Sequence, residues 1–446
     1  MNQINNWLSA RRQIFAGIHV SREAIVDYQN HQLRRLVRHA YENVQYYREL
    51  FDRHGLKPQD IRSVSDLSMI PISDKDDLRS RPQQEIVSCG INLQKVIVTC
   101  TSGSSGKPFT IYSTWLEQRI LQAIRSQAMK EFVLRWLDSV AMISMLRPKQ
   151  PAANPLIQRF FRNLSPRRWM KLDCRDPLED ILRSLRSFRP DVIIGYAGVI
   201  SRISQLMNDT DRQQISPRFI QVDSEVLTPL MRQQITQGFR APVFEMYDSH
   251  EFNLLAWECS ATGEMHISDY GMILEVLRDG RPVREGERGE VVGTNLYAYT
   301  MPFIRYRLGD IVTKGSEVCR CGNPFSTIRA VQGRMIDYFT LIDGRTVHPY
   351  SLLKPIIAVA PWIREYRLLQ ERKDRIVLHV VASSTPSKTD LTRLQESITG
   401  QLGPEVVFEV ILVPNISLEA SGKFRVARSL VKSAYDEMQW DEGKMP

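Results

Sequence analysis

Long apolar runs are missing from this sequence. No stretch of its 446 residues approaches the roughly 18 uninterrupted apolar residues that a membrane helix requires, so membrane insertion is not expected. The opening Met1–Phe15 stretch is polar where a secretory leader carries its apolar region, and a cytoplasmic location is the expectation. Cysteine is scarce. Six residues in a chain of this length make no disulfide framework, which sets aside the small secreted scaffolds. Internal repeats and low-complexity segments are also lacking.

What remains is the balance of an ordinary globular protein, 43% hydrophobic and 24% charged. The length exceeds what one compact core organises, so two or three domains are expected. The formal net charge of +9 permits a polyphosphate ligand, an acidic carrier domain or nucleic acid as partner. Much of that charge sits between Arg159 and Arg175, and such a stretch reads first as solvated surface.

Periodicity organises the chain. Leu33, Leu36, Val37, Ala40, Tyr41, Val44 and Tyr47 recur at helical spacing. Pro58, Pro71 and Pro82 punctuate a looser region, with Ser73 expected to cap a short helix. From Val96 to Met246 strands and helices alternate. Strands are expected at 96–99, 109–112, 140–146, 192–196, 219–222 and 243–246, with helices at 116–136, 178–188, 199–207 and 229–239. That alternation predicts an α/β domain with a largely parallel sheet. After Tyr247 short strands and glycine turns predict an antiparallel, barrel-like subdomain over about 250–334. Residues 335–446 read as a small α+β domain with a turn at Asp343-Gly344, a strand at 376–381 and a helix at 391–402.

The segment Thr101, Ser102, Gly103, Ser104, Ser105, Gly106, Lys107 follows a strand and offers backbone and hydroxyl donors suited to phosphate oxygens. It is not a Walker loop, because two residues rather than four separate the glycines and Pro108 follows the lysine. On composition alone a flexible loop explains it equally well.

Several motifs in order carry a resemblance. The glycine/serine loop, the opening stretches Tyr46-Tyr47-Arg48 and Ile70–Arg79, Tyr247–Glu251, Met301–Asp310, Gly333–Asp337 and Ala420–Phe424 together resemble the adenylate-forming superfamily. The branch resembled holds phenylacetate–coenzyme A ligases, coenzyme F synthetase and capsule-biosynthesis proteins. The resemblance spans nearly the whole chain. It implies a large domain over 1–334, a small mobile domain over 335–446, and ATP-dependent conversion of an acid to acyl-AMP with release of pyrophosphate.

It also implies roles. Thr101–Lys107 would cradle phosphates, Tyr247 would pack on adenine, and Glu251 would help hold Mg²⁺ on oxygen ligands. Ser224 and Glu225 would lie along the adenine, Asp310 would accept from the ribose hydroxyls, and Arg334 would reach ribose or phosphate. Lys423 would stabilise charge building at the α-phosphorus. Ser249 sits inside the same motif, where Asp248 replaces the usual glycine and His250 the usual hydroxyl residue. Ile336 stands where the hinge residue is usually polar. Tyr196, Ala197, Gly198 and Met246 are candidate lining for the acid, and the aromatics favour an aryl acid.

Cys319 and Cys321, with Cys259 and His266, supply three thiolates and an imidazole, a complete tetrahedral set for structural Zn²⁺. The branch carries a similar arrangement; reduced buried thiols are the plainer alternative. The expected activity is an acid–thiol ligase using coenzyme A. A phosphopantetheine carrier protein, or an amine or hydroxyl acceptor, is the alternative in the second step. A non-catalytic nucleotide-binding regulator is the rival from another class. A monomer or homodimer with no nucleic-acid partner completes the expectation.

Overall fold

The structure is a computed structural model, which describes residues 21–100, 109–146, 167–334, 338–347, 349, 352, 356, 360–419 and 422–431. The helix Arg22–Asn43 buries Leu33, Leu36, Val37 and Ala40, part of the stripe that the periodicity predicts. Asp74, not Ser73, caps the short helix Lys75–Arg79. Its carboxylate accepts from the N–H groups of Asp76 and Asp77, which a serine one residue earlier does not reach. Ser73 is buried instead, donating its N–H to the Arg305 carbonyl and accepting from the Arg307 N–H.

Strands β1 (Ile97–Cys100) and β2 (Thr110–Ser113) pair antiparallel, Cys100 opposite Thr110. Thr101–Lys107, between them, lie outside the described residues. The helix Trp115–Glu131 begins in a reciprocal cap between Thr114 and Glu117. It ends five residues before the expected Trp136, because Val133 turns into the left-handed region at φ 61°.

Among the described residues the main sheet has twelve strands. Its parallel half comprises β3 (Val140–Ser144), β4 (Trp169–Asp173), β5 (Val192–Tyr196), β6 (Phe219–Asp223) and β7 (Val243–Ser249). Helices Leu178–Phe188, Ala197–Leu206 and Pro229–Phe239 alternate with these strands, and β5 is buried on both faces apart from Tyr196 at its end.

The antiparallel half adds β8 (Asn253–Glu258), β9 (Met265–Ile267), β10 (Met272–Arg278), β11 (Arg281–Pro282), β12 (Arg288–Asn295), β13 (Tyr306–Lys314) and β14 (Thr327–Arg334). The strand order is β11-β10-β12-β13-β14-β9-β8-β7-β6-β5-β3-β4. Among the described residues, therefore, the antiparallel strands extend the parallel sheet rather than closing a barrel. Strand β7 belongs to both halves, parallel to β6 and antiparallel to β8.

A hairpin of β15 (Phe339–Thr340) and β16 (Thr346–Val347) turns at Asp343-Gly344, with Gly344 at φ 84°. A four-stranded sheet follows, ordered β19 (Val407–Leu412), β18 (Arg375–Ala382), β17 (Ile363–Arg372), β20 (Ala427–Ser429). The helix Lys388–Leu402 packs on β19. One apolar cluster joins Ile200, Ile235 and Val222 of the large sheet's layer to Tyr366 and Leu368 of this second sheet and to Phe424 just before β20. Among the described residues no helix is long and apolar enough to cross a membrane.

Candidate active site

The C-terminal ends of parallel strands collect the candidate residues, the edge where α/β sheets place their ligands. Tyr196 ends β5 and Asp223 ends β6, directly opposite one another. Ser224 follows at φ 65°, a left-handed turn that sends the chain off the strand into Glu225. The Glu225 carboxylate accepts from the Gly198 N–H at 2.7 Å and from the Phe424 N–H. Loss of water pushes its pKa up to about 7, while the two backbone donors and Lys423 pull the other way.

Lys423, one residue before Phe424, brings its ammonium to 5.6 Å from the Tyr196 ring centroid. Two glycines permit this approach. A Cβ at Gly198 would lie 2.3 Å from the Phe424 Cβ, and one at Gly422, at φ 74°, would lie 2.2 Å from the Cys174 sulfur. Arg202 pins the same region, bridging to Glu365 at 2.7 Å with its guanidinium 4.8 Å from the Phe424 ring.

On β7, Tyr247 donates its hydroxyl to the Asp310 carboxylate at 2.6 Å. Asp310 stands on β13 opposite Arg334 of β14, so those two positions share a register. At the end of the strand Ser249 accepts from the Phe252 N–H at 3.2 Å, and His250, just past it, is exposed. The Glu251 carbonyl is held by the Asn295 amide at 2.7 Å, and its carboxylate accepts from the Tyr306 hydroxyl at 3.5 Å. Arg305 is buried and grips the opening region through the Ile70 carbonyl at 2.7 Å, a structural part of its motif.

Sequence reasoning missed Arg125. This residue of the helix Trp115–Glu131 sits between two carboxylates, 3.0 Å from Asp248 and 3.1 Å from Asp223. Its exposure and theirs run from 14% to 24%, low enough for the pairing to count. Burial, and then the charge of Asp223, raise the Asp248 pKa to about 6, with Arg125 and Lys423 opposing. The signal was present as an arginine directly after the apolar Ile120, Leu121 and Ile124. Tyr196, Ala197, Gly198 and Met246, by contrast, do not gather into one apolar pocket. Tyr196 lies beneath Lys423, Gly198 abuts Phe424, and Ala197 and Met246 are buried in separate core clusters.

Far along β8 and β9, Cys259, His266, Cys319 and Cys321 bring their ligand atoms within 4.8 Å of one another. The Cys259 and Cys319 sulfurs are 3.9 Å apart, and the Cys321 sulfur is 3.4 Å from His266 Nε2. Zn–S bonds of about 2.3 Å and Zn–N bonds of about 2.0 Å give tetrahedral edges of about 3.8 and 3.5 Å, so the donor set fits. Nδ1 of His266 faces Glu131 at 3.3 Å, which directs Nε2 to the thiols.

The family described as "CapK C-terminal domain" matches residues 340–429. Protein CapK of Staphylococcus aureus is 23% identical over 420 residues, covering 92% of this chain and 90% of its own. A phenylacetate–coenzyme A ligase of Thermus thermophilus is 23% identical over 437 residues, with the same coverage of 92% and 90%. Among solved structures, 2-hydroxyisobutyryl-CoA ligase in its postadenylation state superposes with TM-score 0.75 at 18% identity, covering 89% of this chain and 88% of that one. The same ligase in its thioesterification state gives 0.62 at 17% identity, covering 93% and 91%. Whole-length similarity to both kinds of relative, the shared fold and the matched C-terminal domain agree, and the chain is similar over nine-tenths of its length to the phenylacetate–coenzyme A ligases and to CapK.

Proposed function

We propose that this protein activates a carboxylic acid with ATP and transfers the acyl group to coenzyme A. The observation that carries the reading is the position of Lys423 over Tyr196 at the strand ends, with the next residue bound by Glu225. The names of the relatives, phenylacetate–coenzyme A ligase and 2-hydroxyisobutyryl-CoA ligase, support the same chemistry.

In the first step a carboxylate oxygen attacks the α-phosphorus, forming acyl-AMP as pyrophosphate leaves. Lys423 would neutralise charge building on the α-phosphate oxygens. Thr101–Lys107 would hold the phosphates, Tyr247 and Ser224-Glu225 the adenine, and Asp310 and Arg334 the ribose. Glu251 would hold Mg²⁺, which draws charge from the phosphates, and His250, beside it, would donate to a phosphate. In the second step a thiol attacks the acyl carbonyl and AMP leaves. Rotation of residues 335–446 against 1–334 would withdraw Lys423 between the steps. Cys259, His266, Cys319 and Cys321 would hold Zn²⁺ as a structural staple, since four protein ligands leave no position for an activated water.

A second reading is transfer of the acyl group to a carrier protein or to an amine or hydroxyl acceptor, since the family matched over residues 340–429 bears the name CapK rather than that of a coenzyme A ligase. Acid-dependent exchange of pyrophosphate into ATP tests the first step. Exchange with at least one acid is expected. ATP binding without exchange across a broad panel would mark a nucleotide-binding regulator instead.

A further inference from the structure

The ion group around Arg125 bears on which acid this site takes. Tyr247 and Asp248 are neighbours on β7, yet a bulge between them sends the side chains to different places. Tyr247 goes to Asp310, and Asp248 goes to Arg125. Asp223, the other carboxylate on Arg125, stands opposite Tyr196, over whose ring the Lys423 ammonium lies. Lys423 is near enough to act on the charge of Asp248 as well as Glu225. Asp223, Arg125 and Asp248 therefore continue directly from the lysine that would meet the substrate carboxylate.

Arg125 gives each aspartate one nitrogen, so neither carboxylate is held bidentately. Asp223 receives one further donor on the same oxygen, the Gln221 amide at 2.9 Å. Among the described residues, the second oxygen of Asp248 receives a long contact of 3.5 Å from the Ser224 hydroxyl. A carboxylate has about four acceptor sites, so acceptor capacity remains on both. Asp223, Asp248 and Arg125 together sum to one negative charge, and the next described cation, Lys423, is the one that would meet the substrate carboxylate. An apolar ring placed here would strip water from the group and return nothing, whereas an ammonium would restore both charge and hydrogen bonds.

We infer that the acid activated at this site carries a basic nitrogen near its carboxylate, an amino acid, with Asp248 and Asp223 receiving the ammonium and Arg125 setting their positions. This inference rests on the acid-activation reading above. It also replaces the aryl preference drawn from Tyr196, whose ring is already engaged by Lys423.

The test is pyrophosphate exchange by the full chain with matched acids: amino acids, their deaminated and hydroxy counterparts, phenylacetate, benzoate and a dicarboxylate. An amino acid is expected to exceed its deaminated counterpart at least ~100-fold in kcat/KM, as sites built for a polar group do. Asp248→Asn is expected to erase most of that ratio, chiefly through KM, while thermal melting reports whether the variant folds. Arg125→Lys, which keeps the charge but not the two-nitrogen fork, should retain part of it. Phenylacetate, benzoate, the hydroxy acid or the dicarboxylate equalling the best amino acid would overturn the inference and leave acid activation standing. Exchange with no acid at all would overturn acid activation and this inference with it. An unchanged ratio in folded Asp248→Asn would also overturn it.

Discussion

Glu225 accepts the backbone N–H of Phe424, 199 positions further along the chain, and so latches the residue after Lys423 to the loop that follows β6. The same carboxylate holds the Gly198 N–H, which makes the latch a three-way junction between β5, β6 and the C-terminal unit. Lys423 is placed by this junction as much as by its own side chain.

Removing the ammonium should therefore separate the two half-reactions. Lys423→Ala is expected to lower acyl-AMP formation at least ~100-fold, with melting unchanged. Thiolysis of supplied acyl-AMP should be spared. Equal loss in both reactions would mean that Lys423 is not dedicated to the first.

Gly198→Ala attacks the junction without touching a charge. The added methyl would sit 2.3 Å from the Phe424 Cβ, a distance that demands displacement of the Lys423 segment. Acyl-AMP formation should fall by about tenfold or more while thiolysis changes little. A variant with normal rates in both would show that the segment is not needed in this position.

The cysteine–histidine cluster should hold one zinc per chain, measurable by elemental analysis. Cys259 and Cys319 lie 60 positions apart, so the metal would close a long loop and stabilise the antiparallel half of the sheet. Cys319→Ser is expected to lose the metal and lower the melting temperature by several degrees. Metal-free protein of full stability would contradict this, as would a variant that loses turnover without loss of stability.

Stability should also carry a mark of buried carboxyls. Loss of water pushes Glu245 from 4.5 to about 7, with Glu258 adding to the rise and Arg232 opposing it. Between those values the folded state holds more protons than the unfolded one, so this group's contribution falls as pH rises from about 4.5 to about 7 and is level above. Glu245→Gln cannot titrate. Relative to the parent it should gain on the order of 2 kcal/mol between about pH 5 and 8, after discounting for partial exposure. Urea midpoints of both proteins across that range give the difference; parallel curves would refute the assignment.

The sequence alone determined the succession of strands and helices through the parallel half, because periodic burial is recorded along each element. The stripe of Leu33, Leu36, Val37 and Ala40 and the strand ending at Tyr196 are legible in that way. It also determined the candidate donors Cys259, His266, Cys319 and Cys321, whose chemistry is stated by residue type, and the Asp343-Gly344 turn. Tertiary structure alone decided which distant residues meet. Arg125 is 98 residues from Asp223 and 123 from Asp248, and nothing in their spacing records that a helix and two strand ends converge there. The course of the antiparallel strands was hidden for a related reason. A strand's alternation states which face is buried but not which neighbour it pairs with, so an extension of the sheet and a closed barrel read alike until the ladder from β7 to β11 is seen. Pairing partners and ion partners are settled by packing across the fold, where separation along the chain carries little information.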